Sequence, residues 1–315
     1  MPGRAGMSRR YPLSDAMQAF VTETEAHPLE GPTLAAQREN YERMAAAFAP
    51  PIPPGLLVRD VQPDGLVELR LYRPEGAPPA NGWPTVFYIH GGGWVLGNAR
   101  THDMICIPLA AELGALVIAI SYRLAPEHPY PAALNDCLDT WRRIHQDGLG
   151  EPVDKTRIAV AGDSGGANLA AALCLALRGS GEAQPLSQAL IYPALGNRDT
   201  PSRTTCADAP LMTSAAVDEY LAAYLSRPAD RRDPLALPLL AEDLGGLPPA
   251  FIAVAQFDPL RDDGALYRDR LREAGVAVDY FPGAGLVHGC LRARRVAEVD
   301  ALRGALIAAL RRSLS

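Results

Sequence analysis

The chain has 315 residues, 48% of them apolar and 21% charged, with a net charge of −6. That length supports one large domain or two small ones, with a core that needs no disulfide or metal staple. The acidic balance excludes a nucleic-acid footprint, and the 28 Gly and 29 Pro lie scattered between apolar runs, which excludes wholesale disorder.

The first ten residues are basic, but no apolar stretch of signal-peptide type follows them, and Met7 is a second candidate start. The longest apolar runs, such as Leu169 to Leu177, fall far short of the about 20 residues that span a bilayer. A soluble, cytoplasmic protein is expected. Leu13 to Ala26 and Thr33 to Phe48 are rich in Ala, Glu, Gln and Met and predict helices. Pro50-Pro51-Ile52-Pro53-Pro54 then stops helix formation. Residues 1–50 therefore form a helical N-terminal piece, and 51–315 the main body.

In the body, apolar runs predict strands at Val67 to Tyr72, Val86 to Ile89, Leu116 to Ile120 and Ile158 to Ala161. Further strands are predicted at Ala189 to Tyr192, Phe251 to Ala255 and Val276 to Phe281. Helical patterns occupy Asp136 to Gln146, Ala167 to Arg178, Leu266 to Ala274 and Glu298 to Leu314. Continuous apolar strands alternating with helices give an α/β fold, a parallel sheet covered on both faces. Residues 196–232 break the rhythm with a polar loop from Gly196 and one amphipathic helix, Ser214 to Leu225, an insertion placed to act as a lid. The five cysteines, Cys106, Cys137, Cys174, Cys206 and Cys290, are odd in number and widely spaced. They fit no zinc or redox pattern and predict buried or free thiols, with Cys106 and Cys174 in the core.

Gly162-Asp163-Ser164-Gly165-Gly166 contains G-x-S-x-G between a predicted strand and a predicted helix, the context of a nucleophile elbow. A side chain at either outer glycine would collide with the adjacent strand or helix. The same five letters occur in trypsin-like proteases, but those place the His before the Ser in an all-β chain. Here the strands read as parallel, and an Asp and a His follow Ser164. His90-Gly91-Gly92-Gly93-Trp94 comes directly after a strand. Consecutive glycines free the backbone to aim N–H groups at an oxyanion, and Gly92, Gly93 and Gly165 are the assigned donors. A phosphate loop is excluded by the missing G-x-x-x-x-G-K-[ST] pattern. His90 is read as a brace for the loop. Of the six histidines only His288 lies beyond Ser164, in a loop after the last strand, and it is the candidate base. Asp258 follows the preceding strand and is the candidate acid. Asp262 and Asp263 compete with it, but they open a helix, where acids favour the dipole.

Together these segments resemble the bacterial hormone-sensitive-lipase family of α/β-hydrolase carboxylesterases. The likeness includes Tyr122-Arg123-Leu124-Ala125-Pro126-Glu127, His128-Pro129-Tyr130-Pro131, Asp258-Pro259-Leu260-Arg261-Asp262-Asp263-Gly264 and His288-Gly289, and runs from about residue 65 to 290. It implies a mostly parallel eight-stranded sheet, and a helical cap made of the N-terminal piece and the 196–232 insertion. It implies serine-dependent hydrolysis of short-acyl carboxylic esters with no metal or organic cofactor. It departs from the family at Gly165, usually Ala, at Ala167, often Gly, at Gln256, often Glu, and at Cys290, commonly aromatic. A cap over Ser164 predicts a closed acyl pocket with bulky walls such as Trp94. The partner is a small-molecule ester, with no nucleic acid and no membrane, and homo-oligomers remain open. An amidase, carbamate hydrolase or deacetylase on the same residues is the alternative. A ligand receptor lacking catalysis is disfavoured by the presence of His288. Glu127-His128 among prolines reads as a rigid structural loop, Asp163 as a ligand of nearby backbone, and Arg292, Arg294 and Arg295 as a solvated helix start.

Overall fold

Runs that are apolar at every position have no face to offer water, so they belong in the middle of a covered sheet. The computed structural model, which describes residues 11–196 and 199–315, places them there. Strands β1 (Leu56–Val61), β2 (Leu69–Pro74), β3 (Trp83–Ile89), β4 (Leu116–Ile120), β5 (Val153–Asp163), β6 (Gln188–Ile191), β7 (Ala250–Ala253) and β8 (Val278–Phe281) form one eight-stranded sheet in the order β1-β2-β4-β3-β5-β6-β7-β8. Only β2 runs antiparallel to its neighbours; from β4 to β8 every pair is parallel.

Alternation along β3 divides the core. Val86 and Tyr88 face the layer built by α1 (Asp15–Glu25), α2 (Leu34–Phe48), α3 (Asp103–Leu113) and α9 (Ala297–Leu314). Phe87 and Ile89 face the layer built by α4 (Ala132–Asp147), α5 (Gly165–Leu177) and α8 (Arg261–Glu273). Helix α4 shows why it sits there: Ala133, Leu134, Cys137, Trp141 and Ile144 recur at helical spacing and are all buried. Helix α5 is buried all round except at Ala176, because it lies between the sheet and α4, and its alanines allow that close approach.

Between β6 and β7 the insertion contributes α6 (Pro201–Thr205) and α7 (Ser214–Tyr224). Asn197 and Arg198, in its polar loop, and the basic segment 1–10 with Met7 lie outside the described residues. Three elements escape the sequence reading, the short helix α6 among them. Strand β1 is an edge strand with one buried residue, and helix α3 carries Pro108 in its interior, a residue that reads as a breaker. All five cysteines are buried and unpaired. Among the described residues no helix is long and apolar enough to cross a membrane.

Candidate active site

Strand β5 ends at Asp163, α5 begins at Gly165, and Ser164 alone makes the turn. Its backbone sits at φ 54°, ψ −121°, a conformation that costs a non-glycine residue about 1–3 kcal/mol. The flanking glycines make the turn possible. A Cβ on Gly162 would lie 2.5 Å from the Gly166 carbonyl oxygen, and one on Gly166 would lie 2.1 Å from that of Ile89. The Ser164 hydroxyl is therefore projected above the sheet, at the N-terminus of a helix.

His288 Nε2 lies 2.9 Å from Ser164 Oγ, and His288 Nδ1 lies 2.7 Å from Asp258 Oδ2. Residues from three separate loops meet because the loops after β7 and β8 continue the parallel pairing. Phe257 bridges Val287, and its N–H donates to the Leu286 carbonyl at 3.0 Å. The other Asp258 oxygen accepts the Leu260 N–H at 2.8 Å, which fixes the carboxylate plane. Asp258 is fully buried. The two rival carboxylates serve elsewhere. Asp263 Oδ2 accepts the N–H groups of Leu195 and Gly196, both at 2.9 Å. Burial nonetheless pushes its carboxyl up to about 7. Asp262 accepts the Ser202 N–H of α6.

Beside Ser164 lies the loop 90–94. The N–H groups of Gly92, Gly93 and Gly165 have no acceptor among the described residues. Gly165 is the first residue of α5, where helix N–H groups have no partner within the helix and the dipole favours negative charge. Gly92 and Gly93 have φ of 117° and 61°, open only to glycine at low cost, and a Cβ on Gly93 would strike the Tyr220 ring at 2.4 Å. Below, Asp163 is buried and accepts from Tyr88 Oη at 2.8 Å and from the Gly91 N–H at 3.1 Å. Burial raises its carboxyl, but neighbouring His102 and Tyr88 outweigh this and hold it below the usual range. His90 stacks on Tyr122 at 4.1 Å and holds the Gly91 carbonyl at 2.7 Å through Nδ1. Burial pushes His90 down to about 3, so the ring is neutral. It is a strut in contact with the loop, not with the serine.

A strained serine at a strand-to-helix turn, a histidine and an acid after later strands, and free N–H groups beside it are a recurring combination. Residues 86–292 match the family described by the α/β-hydrolase fold. This chain belongs to that family. It is 41% identical to Esterase LipI of Mycobacterium tuberculosis over 245 residues, 76% of each chain. It is 37% identical to ethyl acetate hydrolase of Pseudomonas putida over 232 residues, 73% of each. Among solved structures, an ester hydrolase from the metagenome of Lake Arreo, complexed with a bipyridine phosphonate derivative, superposes with a TM-score of 0.86 at 35% identity, covering 95% of this chain and 98% of that one. The activity of this hydrolase is carboxylic ester hydrolysis.

The hydrolase holds a cavity of about 330 Å³ over Ser164 and His288. Its walls include His27 to Glu30 with Tyr41 and Met44, Met104 and Ile105 of α3, Leu211, Met212 and Tyr220, and Tyr192 and Arg292. Trp94, expected in a wall, does not line it. The tight turn in which the Gly92 carbonyl accepts the N–H groups of Val95 and Leu96 leaves Trp94 2% exposed, stacked on Tyr224 at 4.4 Å. A Cβ on Gly165 would come within 3.2 Å of its ring, so glycine at this position leaves room for that ring. Gln256, another departure, is exposed and accepts the Gly285 N–H through Oε1 at 2.7 Å, pinning the loop that carries His288.

Two arginines have roles their sequence positions do not announce. Arg38 of α2 donates to the Val95 carbonyl at 2.9 Å and the Ala125 carbonyl at 3.0 Å, and grips Glu127 through both carboxylate oxygens. The Glu127-His128 pair is thus structural, as expected, but its partner is the N-terminal piece. Arg294 and Arg295 are exposed, whereas Arg292, read as part of the same solvated cluster, lines the cavity.

Proposed function

We propose that this esterase cleaves short-acyl carboxylic esters through an acyl-enzyme on Ser164. The observation that carries the reading is the unbroken chain Ser164 Oγ, His288 Nε2, His288 Nδ1, Asp258 Oδ2, with contacts of 2.9 and 2.7 Å, facing three unused N–H groups. Neutral His288 takes the hydroxyl proton as Ser164 Oγ attacks the ester carbonyl. Asp258 accepts the Nδ1–H throughout and stabilises the imidazolium that forms. The oxyanion accepts from Gly92, Gly93 and Gly165, donors already fixed before the reaction and costing little reorganisation. His288 then returns its proton to the departing alcohol oxygen. Water, deprotonated by the same imidazole, attacks the acyl carbon and frees the acid.

The short-acyl preference follows from a small, walled cavity, and ethyl acetate hydrolase, a relative at 37% identity, is named for an acetyl ester. In this reading residues 1–50 and about 196–232 are a cap on a 51–315 catalytic body, since Tyr41, Met44, Leu211 and Tyr220 close the cavity from above. The motifs support a likeness to the bacterial hormone-sensitive-lipase family, and the reading is of a cytoplasmic enzyme acting on small esters. The test is a p-nitrophenyl ester series on wild type and Ser164→Ala. Serine-dependent hydrolysis that favours short acyl groups is expected; full activity in Ser164→Ala would overturn the assignment.

A further inference from the structure

Arginines that are not exposed are normally satisfied, because a guanidinium offers five donors and loses much if they are left bare. In this chain every described arginine that is not exposed donates to a carboxylate or a carbonyl, with one exception. The exception is Arg292. Its Nε is buried without a partner, and among the described residues no carboxylate lies within 4.0 Å of its guanidinium. Its contacts are with ring faces, Phe20 at 5.4 Å and Phe48 at 6.0 Å, which attract a cation without using its N–H groups. The same side chain lines the cavity that holds Ser164 and His288. Glu25 and Glu30, also on the cavity lining, are exposed to solvent and leave it unpaired.

We propose that Arg292 is a carboxylate-binding subsite, and that the substrates of this esterase are esters carrying a free carboxylate. Rings hold the guanidinium in place, and its N–H fork is left for a planar, bidentate anion. The proposal rests on the esterase reading above. The carboxylate can sit on the acyl side, as in a monoester of a dicarboxylic acid, or on the alcohol side, as in an ester of a hydroxy acid.

The test compares matched pairs. The acyl pair is mono-p-nitrophenyl glutarate and p-nitrophenyl pentanoate; the alcohol pair is 4-acetoxybenzoate and 4-acetoxybenzamide. For one pair, wild type should give a ratio of kcat/KM, anionic over neutral, that Arg292→Gln lowers about tenfold or more, that Arg292→Lys lowers less, and that added salt depresses. Whichever pair responds names the side. Should Arg292→Gln fail to fold, inhibition of wild type decides: glutarate should compete with the neutral ester, and glutaramide should not. Ratios that Arg292→Gln leaves unmoved in both pairs, or equal inhibition by glutarate and glutaramide, overturn the proposal and leave Arg292 a strut between Phe20 and Phe48. A wild type inert toward both members of both pairs, or Ser164→Ala active on any of them, refutes the esterase reading instead.

Discussion

At the scale of single residues, two carboxylates near the serine have opposite environments and should answer differently to the same substitution. Asp258 accepts from His288 and from one backbone N–H, so in the proposed mechanism Asp258→Asn removes the group that stabilises the imidazolium. A drop in kcat of about 10⁴-fold is expected in a folded protein, measured by steady-state kinetics beside a thermal melt. Asp263→Asn should leave kcat within a few fold. It should instead change the pH dependence of stability. Burial raises the Asp263 carboxyl to about 7 in the folded state, against about 3.9 unfolded. The folded chain therefore binds more protons than the unfolded one across that window. The contribution of Asp263 is full below about pH 4 and is lost as pH rises through about 7. Asp263→Asn should accordingly gain melting temperature relative to wild type at pH 8 and not at pH 5. Equal shifts at both values would contradict the assignment. Sequence reading ranked these two acids by position after the strand, and it had no access to burial, which raises the carboxyl of Asp263.

At the scale of elements, what was legible is what repeats locally. Leu116–Ile120 and Gly165–Leu177 announce themselves because every residue, or nearly every one, is apolar and buried. The nucleophile turn is legible because only glycine fits at 162 and 166. Strand β1 is not, since its stability comes from pairing with β2 and its side chains mostly face water. The Arg38–Glu127 pair is not, since its partners lie 89 residues apart. That pair joins α2 to the loop carrying Gly92 and Gly93, because Arg38 also holds the Val95 carbonyl. In the proposed mechanism helix α2 is thus a support for the oxyanion donors as well as a wall. Arg38→Met, which keeps the length and removes the donors, should lower kcat about 10-fold to 100-fold with a smaller change in KM, because donors displaced from their working positions stabilise the transition state less. A change confined to KM would show that α2 only shapes the pocket.

At the scale of the whole molecule, loops of the sheet carry Ser164 and His288, and segments before β1 and after β6 wall the cavity over them. Burying one more methylene of the acyl chain gains about 0.8 kcal/mol, roughly fourfold in kcat/KM, only while apolar wall remains to receive it. A cavity of about 330 Å³ must hold the alcohol as well as the acyl group, so the gain stops early. With p-nitrophenyl esters, kcat/KM should climb from acetate toward butyrate or hexanoate and then fall, with palmitate far below butyrate. Removing residues 1–45 would be an ambiguous test of the walls. It strips Phe20, Val21 and Tyr41 from the core, about 1.5–3 kcal/mol for each large apolar side chain, and takes Arg38 away with them. Met44 is the cleaner site. It is 1% exposed, lies on the cavity wall, and is not among the hydrogen-bonded groups around the loop. Met44→Ala should move the optimum one or two carbons longer at a stability cost of about 2–5 kcal/mol. An optimum that stays fixed in Met44→Ala would mean that the acyl chain lies against Leu211 and Met212 instead, and the same substitution at Met212 should then produce the shift.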